Sequence, residues 1–335
     1  MHPSIEQYLA FLQTKRRAPA SVKVVRHDPA HFVTWWEGTR RRTFDPASLR
    51  HEDLRDWRTV HQRDEGAAPA TINRGLASLR GYCRWALARH LLLENPATEV
   101  KDVPTEPLAP RSLPAEAIDA LLCVARAEQN GILRARDEAL LALLIYAGLR
   151  VQEACDLQLR DLDVGSGTVT VRSGKAGKAR RVPLHSDAQR MLRRYVERVR
   201  CPTELPAIGS DQERELLLVG IAMTTKGQPT KVGITQRVAQ RRVQQLGQRA
   251  AQQLRAEAKL ERDITRSEDL EDLARRLESV TPHMLRHSLA RRMLSRGAQL
   301  PEVQRVLGHS RLSTTGVYLT PSEEEVRAAL QRAGI

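Results

Sequence analysis

The sequence predicts a mainly α-helical chain in two domains, with one small antiparallel β-hairpin in the second. Three observations carry this reading. Apolar residues recur at helical spacing through residues 1–100, with turn signals between the runs. A stretch carrying four prolines in thirteen residues, Val103-PTEPLAPRSLP-Ala115, then reads as a stiff, extended linker. Beyond it, GTVTVR at 167–172 is the clearest alternation of β-branched residues in an otherwise helical pattern.

The first domain, 1–102, builds from four amphipathic segments. Ile5, Leu9 and Leu12 mark one. Val22, Val25, Phe32, Val33 and Trp36 mark a second. Leu49, Leu54 and Trp57 follow, with Asp53 and Asp56 on a polar side. Ile72, Leu76, Leu79, Tyr82, Cys83, Ala86 and Leu87 make the fourth, which Asn95-Pro96 closes. Turn signals stand at Ala18-Pro19, Asp28-Pro29, Asp45-Pro46 and Gly66 to Pro69.

After the linker, placed at 103–113, the second domain spans 114–335. Pro114 to Gln129 and Ala135 to Ala147 read as helices, the latter nearly all apolar and therefore central to a core, with Gly148 as its stop. GTVTVR is a strand, SGKAGK a glycine-containing turn and ARRVPL the returning strand; Asp187 to Val199 is helical. Residues 236–279 are rich in Gln, Arg, Ala and Glu, with apolar residues sparse but helically spaced. They read as a helical insertion of one or two exposed helices, for packing on a neighbour, lying along DNA, or simply facing solvent. Pro282 opens a helix that Gly297 ends, and Pro301 opens another that ends at Gly308.

Composition narrows the function. The longest apolar run, Ala139 to Ala147, is about half the roughly 20 residues a membrane span needs. The N-terminus lacks the basic-then-apolar order of a secretion signal, so a soluble cytoplasmic protein is expected. Four scattered cysteines form no CxxC pair and read as reduced thiols. The net charge of +14 suggests a polyanionic partner, most simply nucleic acid. Only eight of the 54 basic residues are lysines; arginine suits phosphate oxygens, although a GC-rich genome has the same effect. The excess is spread along the chain, with 17 basic against 13 acidic residues in 1–108 and 37 against 27 after it.

Four segments combine uncommon polar residues with tight flanks. In GLRVQEACDL (148–157), Arg150 and Glu153 lie one helical turn apart; alone this is also what a helix-terminal salt bridge looks like. In the hairpin turn, glycines flank Lys175, an ammonium able to give up a proton; solvated basic tips look the same, and the spacing is not that of a P-loop. In TPHMLRHSLARRML (281–294), His283 and Arg286 share a helix face. His283 and His287 are spaced to share a zinc ion, but the glutamate of an HExxH motif is missing. In VLGHSRLSTTGVY (306–318), His309 and Tyr318 frame a run of small hydroxyl residues that suits a movable element better than a core.

Together these segments fit phosphoryl transfer to a tyrosine. Two guanidiniums clamping the non-bridging oxygens of a phosphodiester offset the repulsion of the nucleophile and the charge that grows in the transition state. A tyrosine hydroxyl, with an ordinary pKa of about 10, needs cationic surroundings or a base such as His283. The departing 5′ oxygen needs a proton, which Lys175 can supply. No paired acidic metal site is evident, and no cofactor is implied.

With these residues in place, the sequence resembles the tyrosine recombinase (phage integrase) family. GLRVQEACDL is similar to its first-arginine box and SGKAGKARRVPL to its lysine hairpin. TPHMLRHSLARRML is similar to its HxxR box, and VLGHSRLSTTGVY to its closing box, closest in wording to Xer-type members. The resemblance implies a helical, SAM-like core-binding domain followed by an α+β catalytic domain, clamped around duplex DNA carrying a specific recombination site. It implies that Arg150 and Arg286 bind the scissile phosphate, that Lys175 protonates the leaving 5′ oxygen, and that His283 handles the nucleophile's proton. It further implies that His309 hydrogen-bonds the phosphate, that Glu153 is an acidic residue bracing the active-site arginine, and that Tyr318 becomes the 3′-phosphotyrosyl intermediate. Assembly as a homo-tetramer on two sites follows, on nucleoid DNA of a bacterium, with room for an accessory protein or partner recombinase. A C-terminal helix at 322–333, with Val326, Ala329 and Leu330 on one side, docks on a neighbouring protomer in this scheme or on its own domain.

Between the hairpin and the HxxR box this chain is longer than compact Xer-type members, which points toward a mobile element or phage. Rival readings are a catalytically silent DNA-binding member, a type IB topoisomerase-like enzyme, and a basic protein that coats DNA.

Overall fold

Three of the four helices in the first part of the chain open on a proline, whose fixed φ and missing N–H suit a first helical turn: α1 (Pro3–Thr14), α2 (Pro19–Arg40) and α4 (Pro69–Ala88). The fourth, α3 (His51–Arg63), opens on a box in which Asp53 accepts the Arg50 backbone N–H. The structure, a computed structural model, describes residues 2–15, 19–105, 112–172, 179–222 and 228–308. It divides into two units, Met1–Pro107 and Leu108–Ile335.

The first unit has an aromatic core. All the tryptophans and phenylalanines of the chain fall in it, and Phe32, Trp36, Phe44 and Trp57 meet edge to face. Asp28-Pro29 is not the turn expected of it: α2 runs straight through Pro29. The lost backbone hydrogen bond is outweighed because Phe32, Val33 and Trp36 are buried on the same helix. Buried Asp28 also accepts hydrogen bonds from Arg74 and Ser78 of α4, which hold the helix at the proline.

The second unit is built around α6 (Gly131–Ile145), with every residue from Ala135 to Ile145 buried. The burial includes Arg136, Asp137 and Glu138, each paired: Arg136 and Arg242 with Asp137, and Arg194 with Glu138. Around α6 stand α5 (Ala115–Arg126), α7 (Val151–Asp156), α8 (Ser186–Tyr195, continued by a π-turn over Val196–Arg200) and α11 (Pro282–Ser295). The expected hairpin is present as β2 (Thr168–Val171) and β3 (Arg180–Pro183), extended by β1 (Leu162–Asp163) into an antiparallel sheet of order β1-β2-β3. Val169 lies opposite Val182 and Val171 opposite Arg180. A second hairpin, β4 (Val219–Ala222) with β5 (Gln228–Gly233), was not legible; glycines, a proline and a bulge erase its alternation.

The expectation of exposed helices over 236–279 is corrected. Residues there form a helical hairpin, α9 (Gln236–Leu260) and α10 (Ile264–Glu278), packed on each other and on α5, with α9 also against α6 and α7. Ala239, Val243, Leu246, Ala250, Ala251 and Leu254 form a buried stripe along α9 that is continuous with the main core. Its helical spacing was legible but its burial was not, because half of these residues are alanine, which buries little area per residue yet lets helices approach closely. Finally α12 (Leu300–Leu307) packs on α11 and ends at Gly308. Among the described residues no helix is long and apolar enough to cross a membrane.

If α9 belongs to the core, shortening its stripe unfolds the unit. Leu246 is fully buried, so Leu246→Ala is expected to cost about 2–5 kcal/mol. Exposed Gln245→Ala on the same helix should stay within about 0.5 kcal/mol. Urea unfolding of the full chain, followed by circular dichroism, checks both; equal effects would place α9 outside the core.

Candidate active site

The site begins where α6 stops. Gly148, at φ +61°, turns the chain so that Leu149 N–H closes back on Leu143 O. Arg150 is then the N-cap of α7, and Glu153 lies one turn inside it. The Glu153 carboxylate accepts the Arg150 backbone N–H at 2.8 Å and its guanidinium Nη1 at 2.9 Å. From β3, Arg180 donates Nη1 to Oε1 at 2.9 Å and Nη2 to Oε2 at 2.8 Å, a fork-to-fork pair. From α11, Arg286 Nη1 stands 3.8 Å from the same carboxylate. One carboxylate thus gathers three guanidiniums, and the cluster keeps a net positive charge.

The cluster is graded in exposure. Arg286 and Arg180 are the inner members, with side chains 4% and 11% exposed, and Arg150 the open one at 29%. Arg286 also donates Nη1 to Gly148 O and Nη2 to Leu307 O, which ties α11 to the α6–α7 junction and to the end of α12. Burial alone would raise the Glu153 carboxyl. The Arg180 hydrogen bonds, the Arg150 N–H and the charges of both arginines outweigh it and hold the pKa at about 2.

His283 occupies the first turn of α11, one turn before Arg286, with its side chain open to solvent. Partial loss of hydration, then the charges of Arg286 and Arg150, lower its pKa below the ordinary value. The ring is therefore neutral at neutral pH and able to take a proton. His287 is lowered in the same way, by burial first and then by His283 and Arg286. The structure thus brings together Arg150, Glu153, His283 and Arg286. Lys175, His309, Tyr318, the 322–333 segment and the linker residues 106–111 lie outside the described residues.

Sequence reasoning missed Arg180. Its signal was available: in ARRVPL, strand alternation puts Arg180 on the side of buried Val182 while Arg181 is exposed. An arginine on the inward face of a strand needs a buried anion, and Glu153 is that anion.

Among the described residues, a trio spaced to share a metal ion is His31, His61 and Glu65, in the first unit. Its hydrogen bonding favours another reading. Trp57 Nε1–H donates to His31 Nδ1 at 3.3 Å, so the neutral ring carries its proton on Nε2, the atom that faces Glu65 at 3.5 Å. A protonated Nε2 is a donor to the carboxylate and not a ligand.

Residues 111–325 match the phage integrase family, and residues 5–90 match the N-terminal SAM-like domain of phage integrases. The chain is 33% identical over 320 residues to the tyrosine recombinase XerC of Xanthomonas campestris pv. campestris, covering 94% of this chain and 83% of that one. It is 26% identical to a XerC of Pelotomaculum thermopropionicum over 99% of this chain and 98% of the relative. Length therefore does not set this chain apart from proteins named XerC. Among solved structures, the Tn1549 transposon integrase in complex with transposon right-end DNA shares the fold, with a TM-score of 0.65 at 18% identity over 99% of each chain.

Glu153 is the counter-charge of the cluster, so Glu153→Gln should destabilise the chain at neutral pH. A carboxyl depressed from 4.5 to about 2 contributes its stability above about pH 4.5 and loses it as the pH falls through about 2. That contribution is on the order of 3 kcal/mol. In urea unfolding of the two proteins, the gap between wild type and Glu153→Gln should narrow between those pH values; a pH-independent gap would contradict the assigned role.

Proposed function

The chain belongs to the phage integrase family, and we propose that it is a tyrosine recombinase that cuts and rejoins duplex DNA at a specific site through a 3′-phosphotyrosyl link to Tyr318. The observation that carries this reading is the cluster of Arg150, Arg180 and Arg286 on one buried carboxylate, beside a neutral histidine. A phosphodiester brings one negative charge and gains another as the nucleophile adds. Guanidiniums fixed in advance on Glu153 need no reorganisation when that charge appears.

In this reading Arg150 and Arg286 hold the non-bridging oxygens, and His309 adds a hydrogen bond to the same phosphate. The Tyr318 oxygen attacks phosphorus and passes its proton to His283. The bond from phosphorus to the 5′ oxygen breaks, and Lys175 protonates that oxygen. A 5′ hydroxyl from the partner strand then attacks the phosphotyrosine and expels Tyr318. The number of phosphoester bonds is unchanged, so ATP is not required, and the guanidiniums with Lys175 supply the charge and the proton that a metal ion and its water would otherwise provide. Exchange between two duplexes calls for four protomers on two sites. The chain works on nucleoid DNA in the cytoplasm of a bacterium, as a Xer-type resolvase or as the recombinase of a mobile element.

Covalent trapping tests this. Nicked DNA carrying candidate sites from beside the gene should give a wild-type adduct at a DNA 3′ end, undiminished by EDTA and absent from Tyr318→Phe. Arg150→Ala and Arg286→Ala should still bind DNA but form adduct roughly 100- to 1000-fold more slowly. Tight binding with no adduct on any tested site would favour a silent DNA-binding member.

A further inference from the structure

Arg180 does more than balance Glu153. Its guanidinium uses three N–H donors at once: Nη1 and Nη2 on the two Glu153 oxygens, and Nε on Val306 O at 3.2 Å. These donors lie in one rigid plane, so the carboxylate of α7 and the last turn of α12 are fixed relative to each other. A lysine in the same place has one nitrogen and cannot reach all three acceptors in that geometry. The contact is also tight. Gly308 has φ +65°, and a Cβ built on it would stand 2.8 Å from Arg180 Cδ and Nε. Only glycine lets the end of α12 close over the guanidinium.

Arg286 repeats the connection from the other side, through Gly148 O and Leu307 O. Val306 and Leu307 carbonyls belong to the helix end that lacks intrahelical partners and carries the negative pole of the helix, where cations are favoured. The residue after Gly308 is His309. Arg180 stands two residues after the 173–178 segment that bears Lys175, and it pairs with Val171, two residues before that segment. The segments bearing Lys175, His309 and Tyr318 therefore all leave from the neighbourhood of one side chain.

We propose that Arg180 is a positioning residue for strand cleavage: it locks the Glu153-braced arginines to the end of α12, from which His309 and Tyr318 follow. The inference rests on the recombinase reading above. Arg180 does not touch DNA in this scheme; it acts through Glu153 and through the Val306–Gly308 backbone. Losing it leaves DNA affinity nearly intact and lowers the rate of the chemical step.

Single-turnover cleavage of nicked site DNA, over a range of protein concentrations, separates half-saturation from limiting rate. Misplacement of a catalytic group by about 1 Å costs on the order of 100-fold, so Arg180→Gln should lower the limiting rate by about that factor and shift half-saturation by less than about 3-fold. Arg180→Lys, which keeps the charge but not the planar fork, should recover part of the loss. Gly308→Ala, which forces Arg180 aside, should lower the rate too. Combining it with Arg180→Gln should cost much less than the product of the two losses. An active wild type with an unimpaired Arg180→Gln overturns this inference alone, as does a loss confined to half-saturation or fully multiplicative losses. A wild type that binds these sites yet forms no adduct overturns the recombinase reading, and this inference with it.

Discussion

One carboxylate organises the catalytic unit. Glu153 is nearly buried and would on its own be an expensive charge to remove from water. Three arginines arriving from different parts of the chain make it tolerable, and it makes them tolerable in turn. Without it, Arg150, Arg180 and Arg286 would be like charges crowded together in partial burial. The dependence is mutual, which is why the carboxyl is held far below its ordinary pKa and why the arginines stand in place before any phosphate arrives. A binding pocket for an anion needs cations that stay put when the anion leaves, and a single acidic residue short of full neutralisation provides that.

The rest of the fold reads as the apparatus that delivers side chains to this carboxylate. Helix α6 is a fixed post, apolar over most of its length, and its C-terminal end sets the position of the Gly148 turn and hence of Arg150. Helix α11 is held against α6 by Arg292, which donates to Ile145 O at 2.8 Å. It is held to the start of the second unit by Ser288, whose hydroxyl accepts Leu113 N–H at 2.7 Å. That fixes the phase of α11, and with it the direction of Arg286 and His283. The hairpin is held on the side of its connection, where Arg172 pairs with Asp161, and through its strands, where Val169 and Val182 are buried. The helical pair α9–α10 closes the core from the other side of α5.

Much of this was legible in the sequence, and the failures share a cause. Helix α6, the helices opened by Pro282 and Pro301, and the strand at 167–172 announce themselves through periodicity and punctuation, which are local. Arg150, Glu153, His283 and Arg286 were found because their spacing and surroundings are unusual within a few residues. The local signal of Arg180, an arginine on the inward face of a strand, names no partner; its meaning depends on a carboxylate 27 positions away. Asp28-Pro29 looks like a turn until α4 supplies Arg74 and Ser78. The stripe on α9 is half alanine, which weighs little in any count of apolar residues but matters when two helices come close. In each case a tertiary partner overrode or completed the local pattern.

The arrangement also bears on how Tyr318 would be delivered as the nucleophile in the proposed reading. Ten Cα-to-Cα steps lead from Gly308 to Tyr318, and an extended chain of that length reaches at most roughly 33 Å. Anchoring Gly308 on Arg180 therefore fixes where the nucleophile's segment begins without fixing where its hydroxyl arrives. In the proposed reading the arginine cluster can stay rigid, because rigidity is what stabilises the transition state, while the tyrosine is brought to the phosphate separately. The same reach allows Tyr318 to serve the phosphate held by its own arginines or one held by a partner. An arginine cradle built within each protomer, with a nucleophile whose delivery depended on assembly, would keep single protomers from cutting DNA that no partner is ready to rejoin.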